Sequence, residues 1–302
     1  MEKPKILITG GSGFIGTNLV ERFIQNGYEV LNLDILPPRN KSHQPFWKKI
    51  DINEREDLAN VVQEFRPKFI LHFAARTDLR ESESLAGYSE NYIGVRNLIF
   101  AVKNISTVER IIFASSQLVC KIGYQPLNED DYCPTTLYGT SKVIGEQIIR
   151  SVDEFGASWT IVRPTSIWGP WFGEPYRDFF DVIKKDLYIH SGKVETKKKW
   201  GFVLNSVYQI EKLLAAPVDL IHKKTFYLAD YEPLVLSEFA DLIQTRMKAR
   251  KIKRLPLWLM RVFGKIGDGL LFFGMKNPPL TSFRLNNIIS DEIQDTNNLE
   301  KI

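Results

Sequence analysis

The sequence predicts an α/β protein: a doubly wound parallel sheet with a smaller, irregular C-terminal lobe. Three observations carry this. Short apolar runs alternate with segments of helical periodicity through the first half of the chain. The first apolar run ends in a glycine-rich turn that opens a helix. After Pro164 the alternation breaks down. The expected division is 1–165 as the sheet domain and 166–302 as a substrate-binding lobe, with 202–217 packing back on the sheet domain.

Lys5–Thr9 (KILIT) is a short apolar run closed by glycines, as a buried parallel strand requires. Over 14–26, Phe14, Ile15, Leu19, Val20 and Phe23 share one helical face, and Gly27 follows as a stop. Strands follow at 29–33, ended by Asp34, and at 49–52, then a helix over 55–65. A fourth strand covers 69–73 (FILHF), a long helix 85–103 and a fifth strand Arg110–Ala114 (RIIFA). A helix over 137–154 and a strand over 158–162 complete the series. Crossover helices between parallel strands are the arrangement that this alternation implies. Further on, 168–177 is rich in Gly, Pro and aromatics and reads as a loop, 205–216 and 236–248 as helices, and 225–228 as a strand. The charge run 197–199 reads as a solvated loop.

With 302 residues, 44% hydrophobic and 25% charged, the composition is that of a globular chain, which excludes fibrous and disordered classes. Forty basic against 36 acidic residues give a net charge of +4, which makes no case for a nucleic-acid partner. Two cysteines, Cys120 and Cys133, cannot form a disulfide framework, so a reducing, cytoplasmic compartment is expected. No metal is expected. No secretory signal is read, because the first ten residues already form a strand leading into a motif. The late apolar stretch 255–275 is interrupted by Pro256, Arg261, Lys265 and Asp268, whereas a spanning helix needs about 20 mostly apolar residues. The window 242–267 contains no acid and several bases, including Lys248, Arg250, Lys251, Lys253 and Arg254. Beside a Trp/Leu/Phe-rich segment, such a stretch could lie on an anionic membrane surface. The plainer reading, a solvated basic helix end followed by a core helix, is preferred.

The turn after the first strand reads Thr9-Gly10-Gly11-Ser12-Gly13-Phe14-Ile15-Gly16. Gly10 permits the tight turn, Gly13 a close backbone approach to a pyrophosphate, and Gly16 the packing of helix on strand. The helix start aims free N–H groups and its positive dipole end at the phosphates. Asp34, about 20 residues on, stands where ribose hydroxyls would be bound. A carboxylate there accepts from a 2′-OH and repels a 2′-phosphate, which favours NAD over NADP; Arg39 nearby is the counter-signal. Dinucleotide binding on a Rossmann-type sheet is therefore expected.

Tyr138 and Lys142 stand four apart at the start of a predicted helix, on one face. A free tyrosine, with a pKa of about 10, is a poor base at neutral pH. A nearby ammonium favours the phenolate, which can accept a proton from an alcohol while hydride leaves for the cofactor.

These residues resemble the extended short-chain dehydrogenase/reductase family, in its NAD-dependent epimerase/dehydratase branch acting on nucleotide sugars. Further matches are Asp51-Ile52, His72-Phe73-Ala74-Ala75, the N-x-x-G-V-x-N segment from Asn91, Ser115-Ser116-Gln117-Leu118-Val119, Pro134, Arg163-Pro164 and Trp168-Gly169-Pro170. The resemblance implies Ser116, Tyr138 and Lys142 as catalytic. It assigns cofactor contacts to Gly10, Gly13, Phe14, Ile15, Gly16, Asp34, Asp51, Ile52, Phe73, Ala74, Ala75, Asn91 and Pro164, besides Tyr138 and Lys142. Thr77, Ser116, Gln117, Ser166 and Trp168 are the implied substrate contacts. His72 is carried only as a pocket wall. A homodimer through the helices 85–103 and 137–154 is also implied.

The chain departs from the family pattern in places. Gln117 and Leu118 replace the Asp-Glu pair that serves 4,6-dehydration, and neither can shuttle a proton. Ser166 replaces the usual Asn, Val203-Leu204-Asn205-Ser206 the V-x-D-D signature, and Cys120 the usual Tyr. The family continues past this C-terminus with L-G-[FW]-x-P, so a clipped or short end is read here. The expected activity is NAD-dependent epimerisation of a nucleotide sugar. The alternatives are an NAD(P)-dependent reductase or dehydrogenase of a nucleotide sugar or a lipid- or steroid-like alcohol, and a non-catalytic cofactor-sensing protein.

Overall fold

Seven parallel strands form the main sheet of the computed structural model, which describes residues 3–79, 84–153, 156–173, 176–275 and 278–302. The labelled strands are β1 (Lys5–Thr9), β2 (Glu29–Asp34), β3 (Trp47–Lys49), β4 (Phe69–His72), β5 (Arg110–Ala114) and β6 (Ser158–Pro164). The helices between them are α1 (Phe14–Gln25), α2 (Arg55–Phe65), α3 (Glu90–Val102) and α4 (Leu137–Arg150). Across the sheet the order is β3, β2, β1, β4, β5, β6 and then the strand Lys224–Leu228. The order reverses between β1 and β4, and loops at the carboxyl ends of such strands form the binding crevice of this architecture.

The period-2 alternation of the strands explains the layering. Ile6 and Ile8 of β1 pack with Leu19, Val20 and Phe23 of α1 and with Val207 and Ile210 of the helix Val203–Ala215. Leu7, between them, faces the other layer with Leu58 and Val62 of α2 and Leu98 of α3. Both faces are covered, so strands such as β4 and β5 read as near-continuous apolar runs.

The chain forms two compact units. The first comprises 1–173, 201–230 and 295–302, and the second 174–200 and 231–294. Besides the sheet domain to 165, the first unit takes in 166–173, the seventh strand, the C-terminal residues and the helix Val203–Ala215, which lies within the 202–217 expected to pack back on it. The apolar face of Val203–Ala215 accounts for this, because its Val207, Ile210, Leu213 and Leu214 are spent on the sheet.

Several local expectations need correction. β3 ends at Lys49, and Asp51 lies beyond it in a turn, where its Oδ1 accepts from the Asn53 amide at 2.9 Å. The expected helix 85–103 is a 3-10 turn, Leu85–Tyr88, followed by α3. The side chain of Ser84 holds that turn by accepting from the Ala86 amide. α4 ends at Arg150, and Glu154, the expected end, lies outside the described residues. Within 168–177 the loop is bounded by a short strand, Ile167–Trp168, and by a helix starting at Tyr176.

The second unit holds two larger surprises. Residues 197–199 are not a solvated loop. Lys197–Lys198 pairs antiparallel with Leu234–Val235, and Lys198 is buried. Its Nζ donates to Glu292 Oε2 at 3.2 Å and to the Asn287 carbonyl at 2.7 Å, which compensates the buried charge. The stretch 255–275 is not a core helix. Leu257–Phe272 is a helix that buries only Met260, Gly264 and Gly267 and leaves Trp258, Val262, Ile266 and Phe272 exposed.

Candidate active site

The site residues of the first unit gather at the carboxyl ends of β1, β4, β5 and β6. The β1 turn is shaped by close approach. Gly10 has φ +74°, and a Cβ there would stand 2.5 Å from the Ala74 amide nitrogen. A Cβ on Gly16 would stand 2.0 Å from the Gly10 carbonyl oxygen, so only glycine lets α1 sit this close to the turn. Gly13 differs: its Cβ would meet nothing but the Gly10 carbonyl, at 3.1 Å. No side-chain acceptor caps the first turn of α1. The result is a cradle of backbone amides with open space before it, as a diphosphate requires. Phe14 and Ile15 are half-buried at the helix start, with the Phe14 ring 6.3 Å from that of Phe172.

Asp34 ends β2 beside this turn. Its Oδ2 accepts from the Ser12 amide at 3.0 Å and its Oδ1 from the Leu36 amide at 2.9 Å. Burial raises its pKa above the ordinary carboxylate value, against the pull of those amides and of Arg39. Arg39 donates from Nε to the Ser12 carbonyl at 3.1 Å and from Nη1 to the Trp171 carbonyl at 2.6 Å. Both sequence signals for cofactor choice therefore stand at the same turn.

Phe73, Ala74 and Ala75 follow β4 half-buried, and Thr77 is exposed. Thr9 joins β1 to β4: its Oγ1 lies 2.8 Å from His72 Nδ1 and accepts from the Ala74 amide at 3.2 Å. Burial, helped by the charge of Lys142, pushes the His72 pKa down to about 3, so the ring is neutral. It is a structural tie.

Asn91 is a second tie. Its Oδ1 accepts from the Arg76 amide, and its Nδ2 donates to the Arg76 carbonyl and to Ser141 Oγ. The side chain is thus spent on protein, fixing the Ala74–Arg76 loop and α4 relative to α3. Ile52 is 5% exposed in the core, and a Cβ on Gly94 would lie 2.2 Å from its Cδ1. It supports the adjacent turn from within. Asn97 holds the same turn by donating to the carbonyls of Ile52 and Asn53.

Ser116 caps the 3-10 turn Gln117–Val119 that follows β5, its Oγ accepting from the Leu118 amide at 3.1 Å. Ser115 Oγ beside it is buried with no partner among the described residues. α4 begins against this turn. Thr136 caps it by accepting from the Gly139 amide at 3.0 Å, and a Cβ on Gly139 would stand 2.2 Å from the Leu118 carbonyl oxygen. Tyr138 is thereby held beside the turn that carries Ser116. Lys142, one helical turn later, is buried and donates from Nζ to the Ala114 carbonyl at 3.0 Å. Burial holds its ammonium down to about 8.

Gln117 Nε2 donates to Ser166 Oγ at 3.4 Å, so two expected substrate residues meet. Pro164 ends β6, and the Trp168 ring lies 4.9 Å from that of Phe202.

Two features escaped the sequence reading. Tyr88, fully buried in the 3-10 turn before α3, places its ring 5.9 Å from the Tyr138 ring. Its only signal was an aromatic residue at the start of a supposed helix. Arg163 is buried against Glu146 of α4, donating from Nε at 2.9 Å and Nη2 at 2.8 Å, and also to the Glu129 carbonyl. These partners raise its pKa further, against its desolvation. Arg150 joins the same carboxylate at 3.7 Å. The network ties α4 to β6; an Arg-Pro pair in the sequence gave no hint of its partner.

A glycine-cradled helix start at the sheet's reversal point, together with a tyrosine–lysine helix entering beside β5, defines a nicotinamide-dependent enzyme working on hydroxyl and carbonyl carbons. The sequence model of the NAD dependent epimerase/dehydratase family matches residues 6–216, and the chain belongs to that family. It is 29% identical over 254 residues to a 3-beta-hydroxysteroid dehydrogenase of Mycolicibacterium neoaurum, covering 78% of this chain and 68% of the relative. It is 27% identical over 278 residues to the UDP-glucose 4-epimerase of Vibrio cholerae, covering 87% and 82%. The fold is similar to the crystal structure of a UDP-glucose 4-epimerase from Thermotoga maritima with UDP-glucose (TM-score 0.73, 20% identity, 98% of this chain and 91% of that one). NAD is the cofactor of the family, and the cradle, the acid after β2 and the buried lysine fit it.

Proposed function

We propose that the protein epimerises a nucleotide sugar through a transient keto-sugar. The observation that carries this reading is the seating of Tyr138 and Gly139 against the turn of Ser116, with Lys142, one turn later on α4, buried and bonded to the Ala114 carbonyl at the end of β5. NAD, when bound, supplies the reversible hydride acceptor. In this reading the Tyr138 oxygen takes the proton of the reacting hydroxyl, and the Ser116 hydroxyl hydrogen-bonds the same oxygen as it becomes a carbonyl. The charge on Lys142 stabilises the negative oxygen of Tyr138. On the return step Tyr138 gives the proton back. Gln117 and Leu118 carry no acid or base, so loss of water from the keto-sugar has no proton shuttle. Gln117, Ser166, Thr77 and Trp168 are assigned to the sugar nucleotide.

A second reading, oxidation of a steroid-like 3-hydroxyl, is favoured by one observation: the relative at 29% identity is a 3-beta-hydroxysteroid dehydrogenase. The two differ in their balance. Incubation with NAD and a panel of UDP-sugars should interconvert epimers with no net NADH. Net NADH from 3β-hydroxysteroids, with no change in any sugar, would overturn the epimerase reading. We further infer that the enzyme works as a homodimer through α3 and α4, in the cytoplasm; sedimentation as a monomer at micromolar concentration would remove the dimer.

A further inference from the structure

The helix Leu257–Phe272 in the second unit is built the wrong way round for a protein core. At 3.6 residues per turn, Met260, Gly264 and Gly267 lie on one stripe, and they are its buried residues. The glycines let the chain 280–282 come close: a Cβ on Gly267 would stand 1.7 Å from the Leu280 carbonyl oxygen. The opposite side carries Trp258, Val262, Ile266 and, one residue past the helix, Phe273. All four are exposed, Trp258 to 66% and Phe273 to 85%, and Phe272 to 86%. An apolar face of this size turned outward marks a contact surface.

The charges beside it give the face its direction. Arg261 and Lys265 run along one edge of the apolar sector, both exposed. Over 242–267 there are eight bases and no acid, and every one of those bases is exposed. Among the described residues, Arg250 alone of these has a carboxylate partner, Asp186 at 3.6 Å. The single acid on the helix, Asp268, is turned to its own fold, accepting from the Ser282 amide at 3.0 Å. Among the described residues no helix is long and apolar enough to cross a membrane. An aromatic and aliphatic face edged by Arg261 and Lys265, too short and too charged to span, suits a helix lying in the plane of an anionic lipid surface.

We propose that the protein docks on anionic bilayers through the outer face of Leu257–Phe272, with its aromatic side chains entering the acyl boundary and the 242–267 bases meeting lipid phosphates. The inference stands apart from the reaction proposed above, since it uses no residue of the first unit.

The test is flotation of the full chain with vesicles of phosphatidylcholine, alone or mixed with phosphatidylglycerol. Binding is expected only to the mixed vesicles and should fade at high salt. Phe272→Ser/Phe273→Ser should abolish it. Arg261→Gln/Lys265→Gln should weaken it by roughly fivefold per charge removed. NAD affinity should be unchanged in both variants. If the serine pair fails to fold, the charge pair decides alone. Three results would each overturn the proposal: no flotation with either vesicle, equal flotation with both, or loss of self-association in the serine pair without any vesicle binding. The last would assign the face to a second copy of the chain.

Discussion

Tyr138 is the residue on which the proposed chemistry turns. Tyr138→Phe removes the proton acceptor, and the ring keeps its packing against Tyr88. Turnover should fall by about 10²–10⁴-fold, the usual worth of general acid–base catalysis. NAD affinity, measured by calorimetry, should hold; unchanged turnover would remove the mechanism. Lys142 makes a prediction about stability. Its folded pKa, about 8, lies below that of an unfolded lysine, so the fold disfavours the ammonium. The cost is fully present below pH 8 and is relieved as pH rises from there toward 10.5. The native chain should therefore gain stability relative to Lys142→Met as pH rises from 7 to 10. Urea unfolding at the two pH values checks the sign. A more stable, inactive variant would show that the buried charge is kept for the site. That Tyr138 and Lys142 share a helix face could be read from their spacing; their assignment to the chemistry came from the glycine loop before them and from the family resemblance. Tyr88 could not be read this way, since its place beside Tyr138 depends on how two elements distant in sequence pack.

At the scale of elements, the start of α4 and the 3-10 turn after β5 act as one piece. Gly139 is their contact point. Gly139→Ala adds a Cβ where the Leu118 carbonyl oxygen stands, 2.2 Å away. The helix start must shift, carrying Tyr138 away from Ser116, while the β1 turn is untouched. The variant should lose kcat by an order of magnitude or more, as a misplacement of about 1 Å can cost, and keep its NAD affinity; steady-state kinetics separates the two. The strands and crossover helices were legible because a parallel strand covered on both faces has no polar positions to hide it. The failures share a cause. The run 197–199 looked solvated because the carboxylate that accepts Lys198 comes from Glu292, far along the chain. The stretch 255–275 looked like core because hydrophobicity does not say which face meets a partner. The expected helix 85–103 breaks at Ser89, because its first turn, Leu85–Tyr88, is a separate 3-10 turn that Ser84 caps.

For the whole molecule, the glycine turn of the first unit is the proposed NAD cradle, and ligand binding to the native state alone must stabilise it. NAD at about 100 times its dissociation constant should add about 2.7 kcal/mol, raising the melting temperature by several degrees. No thermal protection and no heat of binding would bring down the cofactor assignment and the reaction built on it. By itself the sequence determined the sheet, the glycine turn after β1, the acid after β2 and the placing of Tyr138 and Lys142 on one helix face, because each is written in local spacing and in side chains that make or forbid one backbone shape. Only the tertiary structure decided that Ile52 braces the site from behind, that Arg163 and Glu146 neutralise each other under α4, and that the late apolar helix faces outward. Those outcomes rest on which distant groups meet, and burial changes the worth of a charge or an apolar side chain only after the chain has folded around it.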